Sequence, residues 1–272
     1  NNSTDNTVDH LRENGFKDYR AHKNDAKKLY FANDENLGGA GGFSMAVGLA
    51  QQLDIDYLWI MDDDVLPEPD CLEKLLMQMD KTGAKVALPS REDENYTDRV
   101  CLDLDLEDHN KFWASLRKQV APHPLDKETY FVKDMTFEGP LMTLEVSKKV
   151  GLPDKDYFIF FDDTDYAYRL SQYTKLVYVT DAKLRRQLAG GDPDRDSAER
   201  EYTWRNYYMM RNNILFDKRY GKNWKVRHLS PTIMMAHMLV LSKRNRHLKH
   251  NFPIIMKAWY DGIRGKSGKR VD

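Results

Sequence analysis

The stretch Tyr57-Leu58-Trp59-Ile60-Met61-Asp62-Asp63-Asp64 decides the fold class of this chain. An unbroken run of five apolar residues that ends at aspartates is typical of a strand buried on both faces of a parallel sheet. Open parallel sheets bind their ligands outside the carboxyl ends of the strands. The three aspartates therefore lie where we expect a ligand.

The adjacent carboxylates of Asp62, Asp63 and Asp64 repel one another, and a cation offsets that repulsion when they lie in a partly buried crevice. Carboxylate oxygens are hard ligands and favour Mg²⁺ or Mn²⁺. Successive side chains at a strand end point to opposite sides, so Asp62 and Asp64 are predicted as the metal pair and Asp63 faces away. The alternative is a solvated acidic turn.

A glycine-rich segment, Asn36-Leu37-Gly38-Gly39-Ala40-Gly41-Gly42-Phe43, lies between a short strand predicted at Lys28–Phe31 and a helix predicted over Ser44–Leu53. Its glycines let backbone N–H groups approach an anion, and the N-terminus of the helix favours negative charge. The segment matches neither a P-loop nor the Gly-x-Gly-x-x-Gly pattern. The segment has two interpretations of equal weight, which are contact with a phosphate and close packing of the helix on the sheet.

Strands and helices alternate along the following residues, which indicates a doubly wound α/β layer. Besides the elements above, we predict a helix over 72–79, strands at Val86–Leu88, Tyr130–Phe137 and Lys175–Thr180, a short helix over Leu144–Val150 and a long helix over about Arg200–Tyr220. The clearest flexible loop is Gly190–Asp194.

A second acidic cluster, Phe160-Phe161-Asp162-Asp163-Thr164-Asp165-Tyr166, also follows an apolar run. Apolar surroundings raise the pKa of a carboxylate and keep it a competent proton acceptor near neutral pH, so a general base is the functional interpretation. The structural interpretation is a helix N-cap at Asp162 or Asp163, with Asp165 in the first turn. Both can hold, because one aspartate can cap while its neighbour faces the cleft.

Charge separates the last 52 residues from the rest of the chain. Residues 221–272 carry 12 Lys and Arg against two Asp, a net charge of +10, so residues 1–220 carry −11. Apolar patches at Ile233–Leu241 and Phe252–Tyr260 lie between the basic clusters. This predicts a basic, amphipathic helical tail, which either contacts anionic lipid or packs its apolar sides on the body.

The composition excludes several classes of protein. A net charge of −1 gives no electrostatic reason to expect a nucleic-acid partner. No apolar run approaches the roughly 18 residues of a membrane span. Two cysteines, Cys71 and Cys101, build no disulfide scaffold, which favours a reducing, cytoplasmic location. Asn1–Asp5 lacks the features of a signal peptide and reads as a polar turn in the middle of a fold.

The motifs, taken in this order, resemble bacterial glycosyltransferases of family 2 with the GT-A fold. Asn36–Phe43, Trp59–Asp64 and Pro67-Glu68-Pro69-Asp70 are similar to galactofuranosyltransferases and related rhamnosyltransferases. Trp204 through Tyr207-Tyr208 to Arg211-Asn212 resembles the aromatic–Arg–Asn helix of the family. The resemblance covers about residues 1–220, which implies a GT-A catalytic domain followed by the tail 221–272. The family's first strand–helix unit is expected to be missing from the sequence as given.

The resemblance also implies roles for individual residues. The catalytic base falls on Asp163, and Asp62 and Asp64 would hold Mn²⁺ or Mg²⁺ on the diphosphate. The residues expected to contact the nucleotide sugar are Asn36, Gly38, Gly39, Gly41, Gly42 and Asp63.

Two departures from the family pattern bear on the site. Lys183-Leu184-Arg185-Arg186-Gln187 stands where the family usually has a metal-binding His, so Arg185 or Arg186 is predicted to meet the charge of the diphosphate. Pro140-Leu141 stands after Gly139, where galactofuranosyltransferases tend to have paired tryptophans, which leaves the identity of the sugar open.

The resulting hypothesis is an inverting transfer of a galactofuranose- or rhamnose-like sugar from a UDP- or dTDP-sugar to a hydroxyl of a cell-surface polysaccharide or lipid-linked glycan. A Mg²⁺-dependent phosphohydrolase and a non-catalytic sugar-nucleotide-binding subunit of a polysaccharide assembly complex are the alternatives. A location at the inner face of the cell membrane follows if the tail contacts lipid. The sequence neither requires nor excludes a homo-oligomer.

Overall fold

The structure is a computed structural model that describes residues 1–23, 26–92, 96–187 and 201–271. The predicted loop Gly190–Asp194 lies outside these residues. The helices are α1 Thr7–Glu13, α2 Tyr19–His22, α3 Gly38–Ala50, α4 Cys71–Thr82, α5 Ala114–Arg117, α6 Leu144–Val150, α7 Asp162–Leu170, α8 Trp204–Tyr220, α9 Ser230–Arg244 and α10 Leu248–Ile263. The strands are β1 Lys17–Asp18, β2 Leu29–Tyr30, β3 Tyr57–Trp59, β4 Val65–Pro67, β5 Val86–Ser90, β6 Cys101–Leu104, β7 Lys118–Val120, β8 Thr129–Val132, β9 Leu141–Thr143 and β10 Leu176–Arg186.

The central sheet has six strands, with β3, β9, β5, β10 and β4 in that spatial order and β8 paired with β10. β5 and β10 are parallel, and the other four pairs are antiparallel. Because β9 lies antiparallel between β3 and β5, those two strands and β10 still run in one direction. The α/β class is confirmed, but the expectation of a mostly parallel sheet is wrong, since β9, β8 and β4 run antiparallel to β3, β5 and β10.

The strand that decides the fold class lies at an edge of this sheet. β3 pairs with β9, and Tyr57 at its start is 46% exposed, whereas Leu58 is buried. The prediction of a strand buried on both faces is therefore wrong for β3. The pairing continues past the strand, because Ile60 N–H donates to Pro140 O (3.0 Å) and Gly139 N–H donates to Ile60 O (2.8 Å). These hydrogen bonds place the residues just before Asp62 beside Gly139 and Pro140, the two residues that precede β9.

Helices cover both faces of the sheet. Val47 of α3, Val146 of α6 and Leu170 of α7 pack with the strand residues Val86 and Leu176 on one face. On the other face, α4 packs its predicted apolar stripe, which includes Leu75 and Met79, against Ala87, Leu141 and Val177. Burial of these apolar side chains from both sides is the main force that holds the layers together.

The glycine-rich segment is the first turn of a helix and not a loop before one. α3 begins at Gly38, six residues earlier than predicted. Gly38 has φ of +71°, and a Cβ there would lie 2.0 Å from the carbonyl oxygen of Phe158, which accepts a hydrogen bond from Ala40 N–H (3.1 Å). The glycines therefore allow close packing of α3 on the segment that leads to the second acidic cluster.

We expect Gly38→Ala to lower the free energy of unfolding by roughly 2–4 kcal/mol, because it combines a left-handed backbone with a steric overlap. Gly39→Ala is the matched control, since a Cβ at Gly39 meets nothing within 4 Å. Chemical denaturation of both variants measures the difference. Equal stability of the two variants would contradict the proposed packing of α3 on Phe158.

The three C-terminal helices form a layer of their own. α10 packs along α8, where Tyr207 donates to Asp261 (2.7 Å) and Tyr208 donates to the carbonyl of Val271 (2.9 Å). The apolar sides of α9 and α10 join the cluster of Tyr207, Met210 and Ile214. These contacts join residues on both sides of the predicted boundary at residue 220. A separate domain over residues 221–272 stays a prediction. Among the residues that the structure describes, no helix combines the length and apolarity that a membrane crossing needs.

Candidate functional site

The two acidic turns lie close together, although 100 residues separate them in the sequence. Burial raises the pKa of Asp162, and the negative charge of Asp62 raises it further. The pKa of Asp62 is itself raised to about 6, first by partial burial and then by the like charges of Glu138, Asp64 and Asp63. Clustered carboxylates with raised pKa values in a crevice are typical of functional sites.

The exposure of the aspartate trio agrees with the predicted division of its sides. Asp63 is exposed, whereas Asp62 and Asp64 are half-buried. The turn is held beside β10, because β4 pairs with the end of β10 and Gln187 N–H donates to the Asp64 carbonyl (2.6 Å). The Oδ1 atom of Asp64 is buried and has no hydrogen-bond partner in the described part of the chain. A buried carboxylate oxygen without a partner is costly unless a cation or a donor meets it.

The trio fits a cation that is shared with a phosphate ligand. Within the described ranges, no group of three or more His, Cys, Asp or Glu side chains is arranged to hold a metal ion alone. Mg²⁺, however, is usually bound by one or two carboxylates together with water and substrate phosphates. The unpartnered Oδ1 of Asp64 and the like charges around Asp62 meet that requirement, and the metal role of this pair stays a prediction.

Two arginines meet one glutamate beside Asp62. Arg91 and Arg186 both form ion pairs with Glu138, at 2.6 Å and 3.2 Å, and the positive charge of Arg186 opposes the rise in the pKa of Asp62. Arg185 points to the other side of β10, where its 69% exposed side chain pairs with Glu68. Of the two arginines predicted to meet a diphosphate, the structure therefore places Arg186 at the acidic cluster and Arg185 away from it, because side chains alternate along a strand.

The second cluster begins helix α7. Phe161 is the N-cap, with φ of +69° and no side-chain cap, so the predicted cap by Asp162 or Asp163 is wrong. Asp163 Oδ1 accepts a hydrogen bond from Thr164 N–H (2.7 Å). The pKa of Asp163 is raised, first by burial and then by the negative charges of Asp162 and Asp134. A half-buried carboxylate with a raised pKa at this position has the properties of a general base.

Helix α8 holds the segment that leads into this cluster. Phe158, Phe160 and Phe161 all have positive φ, which is uncommon for aromatic residues. The side chain of Asn212 donates to the carbonyls of Tyr157 (3.0 Å), Ile159 (2.7 Å) and Phe160 (3.0 Å). Arg211 donates to the Tyr157 carbonyl as well (3.0 Å). The Arg211–Asn212 pair therefore stabilises the unusual backbone that positions Asp162 and Asp163.

Asp165, the third acid of the cluster, has a structural role. It is buried, accepts hydrogen bonds from Tyr157 (3.2 Å) and Tyr220 (2.7 Å), and forms ion pairs with Arg169 and Arg219 (both 2.8 Å). These four hydrogen-bonding and ionic contacts satisfy the carboxylate. Asp165 anchors α7 to α8 and leaves Asp162 and Asp163 as the acids that face the cluster.

Four residues of this region were not predicted from the sequence: Arg91, Lys118, Asp134 and Glu138. Asp134 forms an ion pair with Lys118, and both charges act on Asp163. They lie on different strands and loops and form no local motif, so the sequence carries no signal for them beyond the position of Glu138 directly before Gly139.

The residues predicted to bind the nucleotide differ in their exposure. Gly38 and Gly41 are buried and Gly42 is half-buried, whereas Asn36 and Gly39 are exposed. Asn36, two residues before α3, accepts a hydrogen bond from Gly38 N–H (2.9 Å), the first N–H group of that helix. The packing of α3 on Phe158 brings this helix N-terminus to the segment that precedes Asp162. Contact of these residues with a nucleotide stays a prediction.

Comparison with known proteins agrees with the motifs. Residues 1–134 match Glycosyl transferase family 2. Galactofuranosyltransferase GlfT2 of Mycolicibacterium smegmatis is 24% identical over 220 residues, which cover 74% of this chain and 33% of that protein. Galactofuranosyltransferase GlfT1 of the same organism is 25% identical over 152 residues, which cover 52% of this chain and 47% of that protein. The chain thus spans about a third to a half of the length of these relatives.

The fold is also found in a solved structure. S. aureus TarS, residues 1–349, in complex with UDP-GlcNAc, superposes with a TM-score of 0.53 over 96% of this chain and 70% of that one, at 10% sequence identity. At this identity the likeness concerns the fold. It confirms the fold that the motif resemblance implies.

Proposed function

Because residues 1–134 match the model of glycosyltransferase family 2 and the chain has a GT-A fold, we propose that it transfers a sugar from a nucleotide-diphosphate donor to an acceptor hydroxyl with inversion at the anomeric carbon. The observation that supports this most directly is that the negative charge of Asp62, in the first acidic turn, raises the pKa of Asp162, which precedes Asp163 in the second. One carboxylate pair suits a cation on a diphosphate, and the other suits proton removal. A single displacement needs both functions and no covalent intermediate.

In this proposal, Asp163 accepts the proton of the acceptor hydroxyl as its oxygen attacks the anomeric carbon. The bond from that carbon to the diphosphate oxygen breaks, and its electron pair leaves with the diphosphate. Asp62 and Asp64 would hold Mg²⁺ or Mn²⁺, which stabilises the negative charge of the leaving group when bound. Arg186 lies on the same side and adds positive charge near the diphosphate.

The similarity to galactofuranosyltransferases makes UDP-galactofuranose the first donor to test, followed by dTDP-rhamnose. We would titrate both donors calorimetrically with and without Mn²⁺ and analyse products with lipid-linked and polysaccharide acceptors. Metal-dependent donor binding followed by sugar transfer is expected. Phosphate release from simple esters without an acceptor would favour a phosphohydrolase, and donor binding without any turnover would favour a non-catalytic subunit.

We expect the transfer rate to fall as the pH is lowered, with a midpoint above the usual range of an aspartate. Asp163 must be ionised to accept a proton, and its raised pKa means that it becomes protonated at a higher pH than an ordinary carboxyl. Asp162→Asn removes one of the charges that raise this pKa, so the midpoint of kcat/KM against pH is expected to move to lower pH. A midpoint that stays in place or rises would contradict Asp163 as the group that titrates.

We propose in addition that the tail 221–272 contacts an anionic membrane surface at the cytoplasmic face. Trp224 and Val240 are 68% and 66% exposed, and the neighbouring Lys243 and Arg244 are exposed as well. Exposed aromatic and apolar side chains among basic ones favour an interfacial position on anionic lipid. Sedimentation with phosphatidylglycerol vesicles should exceed that with phosphatidylcholine vesicles and weaken with salt. Equal binding to both lipids would contradict this proposal.

A further inference from the structure

A pocket of about 390 Å³ lies between α8, α9 and residues 112–116, and we call it the α8–α9 pocket. Its volume falls within the roughly 300–1,000 Å³ of pockets that enclose small-molecule ligands. Its lining contains none of the acids of the candidate site, so it is a separate site. The apolar side chains that form its walls include Trp113, Leu116, Met209, Met210, Met238 and Leu241.

The polar groups of the lining are already bound within the protein. The Asn206 side chain accepts a hydrogen bond from Thr203 N–H (2.8 Å), and the Tyr202 hydroxyl donates to the sulfur of Met238 (3.5 Å). Among the described residues that line the pocket, none is Asp, Glu, Lys or Arg, and none has a buried side-chain nitrogen or oxygen without a partner. The α8–α9 pocket therefore suits an apolar ligand.

Positive charge lies at the end of α9 that adjoins the pocket. His237, Leu241 and Arg244 follow one another at intervals of four and three residues, so they lie on one face of α9. The first two line the pocket, and Arg244 is exposed one turn beyond them. The sequence contains no Asp or Glu between Asp217 and Asp261. An apolar pocket with positive charge at one end matches a molecule that has a hydrocarbon chain and an anionic head group.

The size of the pocket favours a hydrocarbon chain over a helix of a partner protein. One turn of an α-helix is about 5.4 Å long and about 10 Å wide, so it occupies roughly 400 Å³ and fills the whole pocket. Helices that bind in grooves use anchors spread over two turns or more. Three of the wall residues are methionines, whose unbranched side chains adapt to flexible ligands.

We propose that the α8–α9 pocket binds one hydrocarbon chain of an anionic membrane lipid, whose head group meets Arg244. This inference rests on the proposed contact of the tail 221–272 with an anionic membrane and deepens it, because it adds a site for a single lipid molecule to a general attraction by charge. Residues 112–116 belong to the body, so a bound lipid would contact the body and the tail together.

The test uses octyl phosphate, 1-octanol and inorganic phosphate as monomeric probes, titrated calorimetrically into the full chain. Octyl phosphate should bind more tightly than 1-octanol or inorganic phosphate, because it contacts both the pocket and Arg244. From hexyl to octyl phosphate the affinity should rise about 16-fold, which is about fourfold for each added methylene at about 0.8 kcal/mol.

A variant of the pocket wall tests the chain-binding part. Leu116→Glu places a charge where the wild-type side chain is 49% exposed, so the protein should still fold. Binding of octyl phosphate and of 1-octanol should both weaken by about tenfold or more, because a charge beside a hydrocarbon chain is unfavourable. Leu152→Glu is the matched control, since Leu152 is 44% exposed and does not line the pocket.

A variant of the basic end tests the head-group contact. Arg244→Gln should weaken octyl phosphate about fivefold, which corresponds to about 1 kcal/mol for one basic residue near an anionic lipid, and should leave 1-octanol unchanged. Lys225→Gln is the matched control, because Lys225 is an exposed base of the same tail that precedes the opposite end of α9. Equal effects of these two variants would refute the contact with Arg244.

Two further results would overturn the inference. One is an affinity that does not depend on chain length or that Leu116→Glu changes no more than Leu152→Glu. The other is no binding of any alkyl probe, which would leave the pocket to an apolar side chain of a partner protein. Because all probes are monomers in solution, these results are independent of vesicle sedimentation. Failure to bind vesicles while octyl phosphate binds would refute the proposed membrane contact alone.

Discussion

Replacing Asp163 with asparagine is expected to lower kcat by about 10²- to 10⁴-fold, the contribution of a positioned general base. Asparagine has nearly the same shape, and its side-chain oxygen can still accept the hydrogen bond from Thr164 N–H. The first turn of α7 should therefore keep its structure. What the variant loses is the ability to take the proton of the acceptor hydroxyl, so affinity for the nucleotide sugar should stay as in the wild type.

Three measurements make this prediction specific. Transfer is followed at saturating donor and acceptor, donor affinity by calorimetry, and folding by thermal denaturation. Glu145→Gln, an exposed acid on α6, serves as the matched control and should retain full activity. If Asp163→Asn transfers sugar at the wild-type rate, the base is another residue, and Asp162 is the next candidate because it lies in the same cluster.

Replacing Asp62 or Asp64 with alanine is expected to remove the metal-dependent part of donor binding. A cation on the diphosphate stabilises the charge of the transition state by several kcal/mol. We therefore also expect the transfer rate to fall, and a loss of about 4 kcal/mol corresponds to a rate about 1,000-fold lower. The structural reason is the geometry of the turn, in which Asp64 Oδ1 is buried without a partner in the described ranges and Asp62 is surrounded by like charges.

A stability measurement tests the same residues without turnover. A ligand that binds the folded state alone stabilises it by about 2.7 kcal/mol at 100 times its Kd. Mn²⁺ together with UDP should therefore raise the Tm of the wild-type protein, and this increase should vanish in Asp62→Ala and Asp64→Ala. Asp54→Ala, an exposed acid outside the turn, should keep it. An undiminished increase in all three variants would place the cation elsewhere.

Several elements could be predicted from the sequence because their signals are local. The structure confirms α6 at Leu144–Val150 with Gly151 as its C-cap, and α4 over the predicted apolar spacing. It also confirms a strand directly before the Asp62–Asp64 turn and a helix at the second acidic cluster. Helical periodicity, glycine after a helix and apolar runs are properties of neighbouring residues, so a single sequence shows them.

The strand directions and the partners of the site depend on contacts between distant residues. The position of β3 at the sheet edge follows from its pairing with β9, about 84 residues later. Whether Arg185 or Arg186 faces the acids depends on which face of β10 lies towards Glu138. The early start of α3 depends on the Phe158 segment, which Asn212 holds in its unusual conformation.

The sequence alone was enough to predict the α/β class, the family resemblance and the two acidic turns, because apolar runs, glycine segments and acidic clusters are patterns of adjacent residues. Only the tertiary structure brought Asp62 to Asp162, joined Glu138 to two arginines and left single oxygens of Asp64 and Asp134 buried without partners in the described residues. Burial and electrostatic potential at a site depend on all the residues that lie close in space, and the order of residues along the chain does not show which residues these are.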